Sequence, residues 1–375
     1  MSRWSIPARC LLGALLLGGL GSMYAGLPGK APVDYLLDTL AGRRLVILGE
    51  FHWIRQDAQL VAALVPRLVD AGVHTLAMEV LPAALQPRID RLITASTWDR
   101  AEAIAVLRAG EWPYVEYLEI LQAVWSANQL RPTNAPKLRL LALSPGPDWR
   151  AELLPQGRTY DTFMADRVLE ALSKGGRALV YCGLNHGWTA YHQPEMPRAG
   201  RVEAFLDRMG NRLRRRLGEE AFLVMLHRPW QRRSGTAWTY VLPLDGWIDC
   251  AADGGPARGF DLAACPWAEA LIGADFYFGM GYRRLRLMDL ADGYIWTGPI
   301  ESNRLVGLIP LAEFAPDAAA LAEVAAHNPF EDRPGMDRPA LQKLWDAEAA
   351  HQGDFLKKFR MEGLREWRRG CTRQP

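Results

Sequence analysis

Two phrases of the chain share a spacing suited to acid–base chemistry: Gly49-Glu50-Phe51-His52 and Gly183-Leu184-Asn185-His186. A further acid, Glu79, closes the apolar run Thr75-Leu76-Ala77-Met78. In an extended segment Glu50 and His52 point to one side, because the side-chain period is two. Two imidazoles with one or two carboxylates suit either of two chemistries. They make an N/O donor set for Zn²⁺, Mn²⁺, Fe²⁺ or Co²⁺, and such an ion lowers the pKa of a bound water. Without metal, an imidazole held by a carboxylate takes a proton from water directly. Glu50, His52, Glu79 and His186 are therefore both the candidate catalytic residues and the candidate metal ligands.

Each of these residues also has a structural role open to it. Glu50 can favour the N-terminus of the following helix, and Glu79 can be an ordinary loop acid before Val80-Leu81-Pro82. Either histidine can be a satisfied structural group. His227, before Arg228-Pro229, is read as structural, and His74, His192, His327 and His351 lack supporting context. Asn185 is placed to orient a ligand. The stretch Trp112-Pro113-Tyr114-Val115-Glu116-Tyr117 has helical spacing and reads mainly as core, or as the wall of a flat apolar ligand. No Gly-x-Gly-x-x-Gly follows a strand, and there is no P-loop and no Gly-x-Ser-x-Gly elbow, so nucleotide binding and a serine nucleophile are not supported.

The elements that position these groups can be read from the periodicity. Apolar runs at 45–48, 75–78, 138–143, 178–182 and 222–226 read as buried strands. Asp57 is the expected N-cap of a helix bent at Pro66 and stopped at Gly72. A helical stretch runs from 85 to 128 with breaks near Gly110 and Pro113. Another helix runs from 161 to 173, and Val202, Phe205, Leu206, Met209 and Leu213 suggest one more. Continuous apolar strands alternating with helices predict an α/β fold, a mainly parallel sheet covered on both faces. Ligands of such sheets bind outside the carboxyl ends of the strands, where the acids and imidazoles fall. Residues 284–288 and 294–296 flank Asp292-Gly293 and read as a hairpin. The expected organisation is an N-terminal segment over 1–25, an α/β core over 26–230, a β-rich extension over 231–313 that adds to the sheet edge or forms a small subdomain, and a helical region over 314–375.

The chain has 375 residues and a net charge of +2, from 44 basic and 42 acidic side chains. That balance implies no nucleic-acid partner and no general membrane field. Arg212-Leu213-Arg214-Arg215-Arg216 and Arg368-Arg369 read as solvated helix ends. Arg3 and Arg9 precede an apolar run over 10–20, too short to span a bilayer and of signal-peptide length. Export is expected, periplasmic or membrane-anchored, with membrane contact only through this segment. Of the five cysteines, Cys182 reads as a buried thiol and Cys250 with Cys265 as a disulfide closing a Gly/Pro-rich loop.

The Gly-Glu-x-His of 49–52, Met78-Glu79 and the Gly-x-x-His of 183–186 resemble the Tiki/TraB/erythromycin-esterase superfamily. Leu48-Gly49-Glu50-Phe51-His52, the stretch from Trp112 to Tyr117 with Asn128, and Met164-Ala165-Asp166-Arg167 are most similar to its ChaN-like haem-binding uptake branch. The resemblance covers residues 40 to 190. It implies an α/β fold with both Gly-x-x-His motifs facing one pocket, and an active-site role for Glu50, His52, Glu79 and His186. Tiki-like members are metal-dependent proteases, erythromycin esterases open a lactone, and ChaN-like members bind haem. The first motif departs from the esterases, which place one more residue between Glu and His, and residues 230–375 have no counterpart in the resemblance. The function expected is an exported metal-dependent hydrolase of an ester, lactone or peptide. The alternative is a ChaN-like haem-binding protein without turnover.

Overall fold

The computed structural model describes residues 27–195, 202–235, 237–252, 255–327, 330, 336–351 and 355–361. The expected export segment lies outside the described residues. Among the described residues, no helix is long and apolar enough to cross a membrane.

Seven strands form one sheet: β1 (Leu45–Glu50), β2 (Val73–Pro82), β3 (Arg139–Ser144), β4 (Arg177–Gly183), β5 (Ala221–Leu226), β6 (Arg258–Asp261) and β7 (Gly293–Trp296). Their order is β6-β7-β5-β1-β4-β2-β3. Every neighbouring pair is parallel except β6 with β7. The strand sequences are continuously apolar because both faces are covered. Along β1, Val46 and Leu48 pack into one core while Leu45 and Ile47 pack into the other. The first core is closed by α1 (Pro32–Gly42), α2 (Arg55–Leu68), α3 (Gln86–Thr94), α4 (Arg100–Ala109) and α5 (Val115–Gln129). The second is closed by α6 (Tyr160–Ser173) and α8 (Met209–Leu217), with α7 (Leu184–Gly187) a single turn at the end of β4. Truncating a fully buried residue such as Leu48 to Ala should cost roughly 2–5 kcal/mol.

This is the α/β fold expected, and the five predicted strands are β1 to β5 with ends moved by one to four residues. The sheet then gains β7 and β6 on its β5 edge, from the region read as an extension.

Four local expectations are corrected. Asp57 is not an N-cap: α2 starts at Arg55, and Asp57 is buried in its first turn, accepting from the Phe51 amide at 3.3 Å. The helix proposed over 202–213 begins only at Met209, while Phe205–Leu206 pairs with Gln193–Pro194. Asp292-Gly293 is not a hairpin turn. The Asp292 carboxylate accepts from the Leu223 amide at 2.8 Å, so the chain enters β7 alongside β5. Leu287–Asp289 is a short 3₁₀ turn instead of a partner strand. Cys265 is buried and unbonded, so the Cys250–Cys265 bridge is not formed.

Candidate functional site

In the pairing of β1 with β4, Glu50 lies opposite Gly183 and Gly49 opposite Cys182. The two Gly-x-x-His motifs therefore leave adjacent strands side by side. Their glycines are required by close approach. A Cβ on Gly183 would sit 2.5 Å from His52 Nε2, and one on Gly49 would sit 2.5 Å from Leu184 Cδ1. Glu79 arrives from β2, next to β4, at an irregularity in the register with β3 between Met78 and Pro82. All four predicted residues meet at the carboxyl ends of β1, β4 and β2.

His52 Nδ1 lies 2.8 Å from Glu50 Oε1. Glu50 is 1% exposed. It also accepts from Tyr117 Oη at 2.9 Å and from the Tyr181 hydroxyl. Burial first, then the charge of Glu50, pushes both phenols well above their ordinary range, so both remain donors. His186 repeats the arrangement with its Nδ1 2.7 Å from Asp161 Oδ1. Asp161, in the first turn of α6, also accepts from the Met209 amide at 2.9 Å and pairs with Arg208 at 3.2 Å. Burial opposes its charge, but His186 and Arg208 prevail and hold Asp161 below the usual carboxylate range.

Between the two imidazoles stands Glu79. Its Oε2 accepts from the Gly183 amide at 2.7 Å and lies 4.0 Å from His52 Nε2; its Oε1 lies 3.3 Å from His186 Nε2. Burial alone would depress both histidines. Glu50 and then Glu79 outweigh it at His52, and Glu79 and then Asp161 do so at His186, so both are raised above the ordinary value. The imidazole edges stay reachable, with side chains 24% and 20% exposed. Trp112 lies against the His52 ring at 4.8 Å between centroids, and Tyr160 against His186 at 5.5 Å.

A metal needs three or more donors turned to one point. Among the described residues, no group of three or more His, Cys, Asp or Glu side chains is placed to hold one. The expected four-ligand set is not assembled, because Glu50 is turned into the tyrosine hydroxyls. The donor set does not fit a metal as arranged.

His227 is elsewhere. It is fully buried after β5, with Nδ1 2.6 Å from Tyr294 Oη and Nε2 3.2 Å from Asp249. Asn185 is exposed, and His327 pairs with Glu111 at 3.6 Å outside the cluster.

Residues 36–143 match the family model described as haem-binding uptake, Tiki superfamily, ChaN. That stretch is similar to Tiki-superfamily sequence of the ChaN type. The matched segment supplies Glu50, His52, Glu79 and Tyr117, whereas Asp161, Tyr181, His186 and Arg208 come from beyond it. No curated protein matches the chain. Among solved structures, a succinoglycan biosynthesis protein is 13% identical with a TM-score of 0.55, covering 77% of this chain and 97% of that one. A Bacillus cereus protein is 11% identical with a TM-score of 0.51, covering 74% and 95%. An erythromycin esterase mutant in its open conformation is 12% identical with a TM-score of 0.49, covering 74% and 95%. At these identities the first two likenesses speak to the fold.

Asp161, Tyr117 and Tyr181 were not picked out from the sequence as site residues. One signal was available for Tyr181: a phenol inside the buried aliphatic run of β4 must find a partner for its hydroxyl.

Proposed function

We propose that the chain is an exported hydrolase of ester, lactone or peptide bonds that works by general acid–base catalysis. The observation that carries this reading is the convergence of two carboxylate-held imidazoles on Glu79. A carboxylate only accepts, so each Nδ1 carries the hydrogen and each Nε2 is the working nitrogen. Neutral His52 takes the proton of an attacking water through Nε2, and Glu50 stabilises the imidazolium that forms. His186, as the imidazolium between Asp161 and Glu79, gives its Nε2 proton to the leaving oxygen or nitrogen. Glu79 keeps the two rings apart and, through the Gly183 amide, at fixed distance from the strand ends. No step is routed through a metal.

The test is turnover of ester, lactone and peptide panels by protein lacking residues 1–25, beside H52A and H186A. Loss of turnover in both variants with the fold intact supports the reading, and unchanged turnover in both sinks it. Export, the proposal that rests on the N-terminal segment, is checked by fractionating cells that express the full chain.

A second reading is haem binding without turnover. It is favoured by the family description and by the Trp112 ring laid against His52. Nε2 of either histidine is chemically suited to iron, but both face Glu79, so no axial ligand is assigned. Titration with haem should then give a saturable Soret shift; its absence removes this reading.

A further inference from the structure

The segment that presents His52 is gripped by a part of the chain more than 300 positions away. Phe51 and Trp53 flank His52, and both rings meet Phe359, at 5.2 and 6.1 Å between centroids. Phe359 also meets Tyr240 at 4.9 Å and Phe355 at 4.6 Å. Together with Ile54, Leu242, Ile300, Leu305, Leu356 and Met361, these residues form a small apolar cluster, which Trp53 joins to the first core. The chain turns tightly there, with the Phe359 amide donating to Phe355 O at 3.2 Å and the Met361 amide to Leu356 O at 2.7 Å. Lys358 lies over the Trp53 ring at 5.7 Å and pairs with Glu348 at 3.1 Å.

The other side of Phe51 is charged. The Arg228 guanidinium stacks on its ring at 4.4 Å and donates to Glu50 O at 3.4 Å. Burial pushes Arg228 down to about 10. The Phe51 ring thus contacts both a partly buried cation and the apolar strap. The 51–54 turn keeps its own backbone anchors: the Ile54 amide donates to Phe51 O at 2.8 Å and the Val306 amide to Trp53 O at 3.2 Å. Those anchors hold the backbone of the turn, and Phe359 meets the rings on either side of His52. An imidazole held at 2.8 Å from Glu50 is sensitive to its own tilt, because hydrogen bonds weaken steeply with misalignment.

We propose that residues 355–361 form a C-terminal strap in which Phe359 positions His52 against Glu50, acting through Phe51 and Trp53. Its consequence for turnover rests on the hydrolase reading; the geometry it describes does not. The experiment is a proton NMR titration of the histidine Cε1–H signals in the full chain and in F359A and F359W, with His52 and His186 assigned by H52Q and H186Q. In F359A the His52 titration should move down toward the ordinary imidazole value, because Glu50 no longer holds it, while His186 stays in place. F359W, which keeps a ring for Phe51 and Trp53, should restore it. If F359A does not fold, F359L is read by the same criteria. An unmoved His52, an equal shift of both histidines, or no rescue by F359W overturns the proposal. Where turnover is measurable, kcat of F359A should fall by up to about a hundredfold, the scale of a misplacement near 1 Å, with KM little changed. A chain without hydrolytic activity would leave the titration result standing, so the two readings fail separately.

Discussion

Three histidine–carboxylate pairs stand at the strand ends of this sheet, and they are not alike. His52 with Glu50 and His186 with Asp161 each spend Nδ1 on the carboxylate and leave Nε2 at a reachable edge facing Glu79. His227 has no exposed surface, and both its nitrogens are taken, one by Tyr294 and one by Asp249. Trp296 adds a contact to the same Asp249 oxygen at 3.4 Å. A dyad becomes a proton-transfer group when its second nitrogen is left over and accessible. A dyad with no nitrogen left over is a clasp, here joining β5, β7 and the short helix Trp247–Ala251.

The sharpest way to break that contrast is to truncate each histidine in turn. H52A and H186A should lose about 10²- to 10⁴-fold in turnover, the usual contribution of a general acid or base, with little change in thermal midpoint. H227A should do the reverse. It takes one hydrogen-bond partner each from buried Asp249 and Tyr294, and an unsatisfied buried group costs roughly 1–3 kcal/mol, read as a fall in thermal midpoint. If H227A remains as stable as the wild type, the clasp role fails.

G183A tests the spacing of the site with a smaller change. Its Cβ would press on His52 Nε2, while the Cβ of G49A would meet the flexible end of Leu184 and, at 3.2 Å, its Cα. Turnover should therefore drop more in G183A than in G49A, and a larger loss in G49A would contradict the packing described.

D161N separates the two reachable dyads. Asp161 helps raise His186, so without its charge the His186 proton is lost at lower pH. The alkaline limb of the pH–rate profile should move to lower pH while the acid limb, set by His52, stays. Movement of the acid limb alone would reverse the assigned roles.

The smallest effect is expected at Asp57, behind Glu50. Burial first, and the charge of Glu50 second, hold this carboxyl well above the usual carboxylate range. The unfolded chain ionises there at the ordinary value, so the wild type loses stability as pH rises from that value toward the folded one. D57N keeps an acceptor for the Phe51 amide and has no charge to suppress. Urea unfolding should show it matching the wild type in acid and gaining on it toward neutral pH; a D57N that is weaker at neutral pH would show that the native carboxyl is ionised.

Much of the fold was legible because two-sided burial writes itself as uninterrupted apolar runs, as in Leu45-Val46-Ile47-Leu48 and Ala178-Leu179-Val180-Tyr181-Cys182. The convergence of Glu50, His52, Glu79 and His186 was legible for a related reason: polar groups ending such runs must find one another. The supporting groups were hidden. Tyr117 has the spacing of core, and Asp161 has the look of an acid opening a helix, so only tertiary structure shows what each one holds. Asp292-Gly293 misled because the same dipeptide serves a turn or, as here, an aspartate bonded to a neighbouring strand. The ligand set read from the sequence counted donors without their orientation, and Glu50 faces tyrosines.

The proposed mechanism requires the two reachable dyads to act as one site through Glu79. A histidine titration of E79Q by proton NMR tests it most directly, since Glu79 raises both imidazoles. The titrations of His52 and His186 should both move to lower pH in E79Q. If either His52 or His186 titrates as in the wild type, the two dyads are independent and the shared site does not exist.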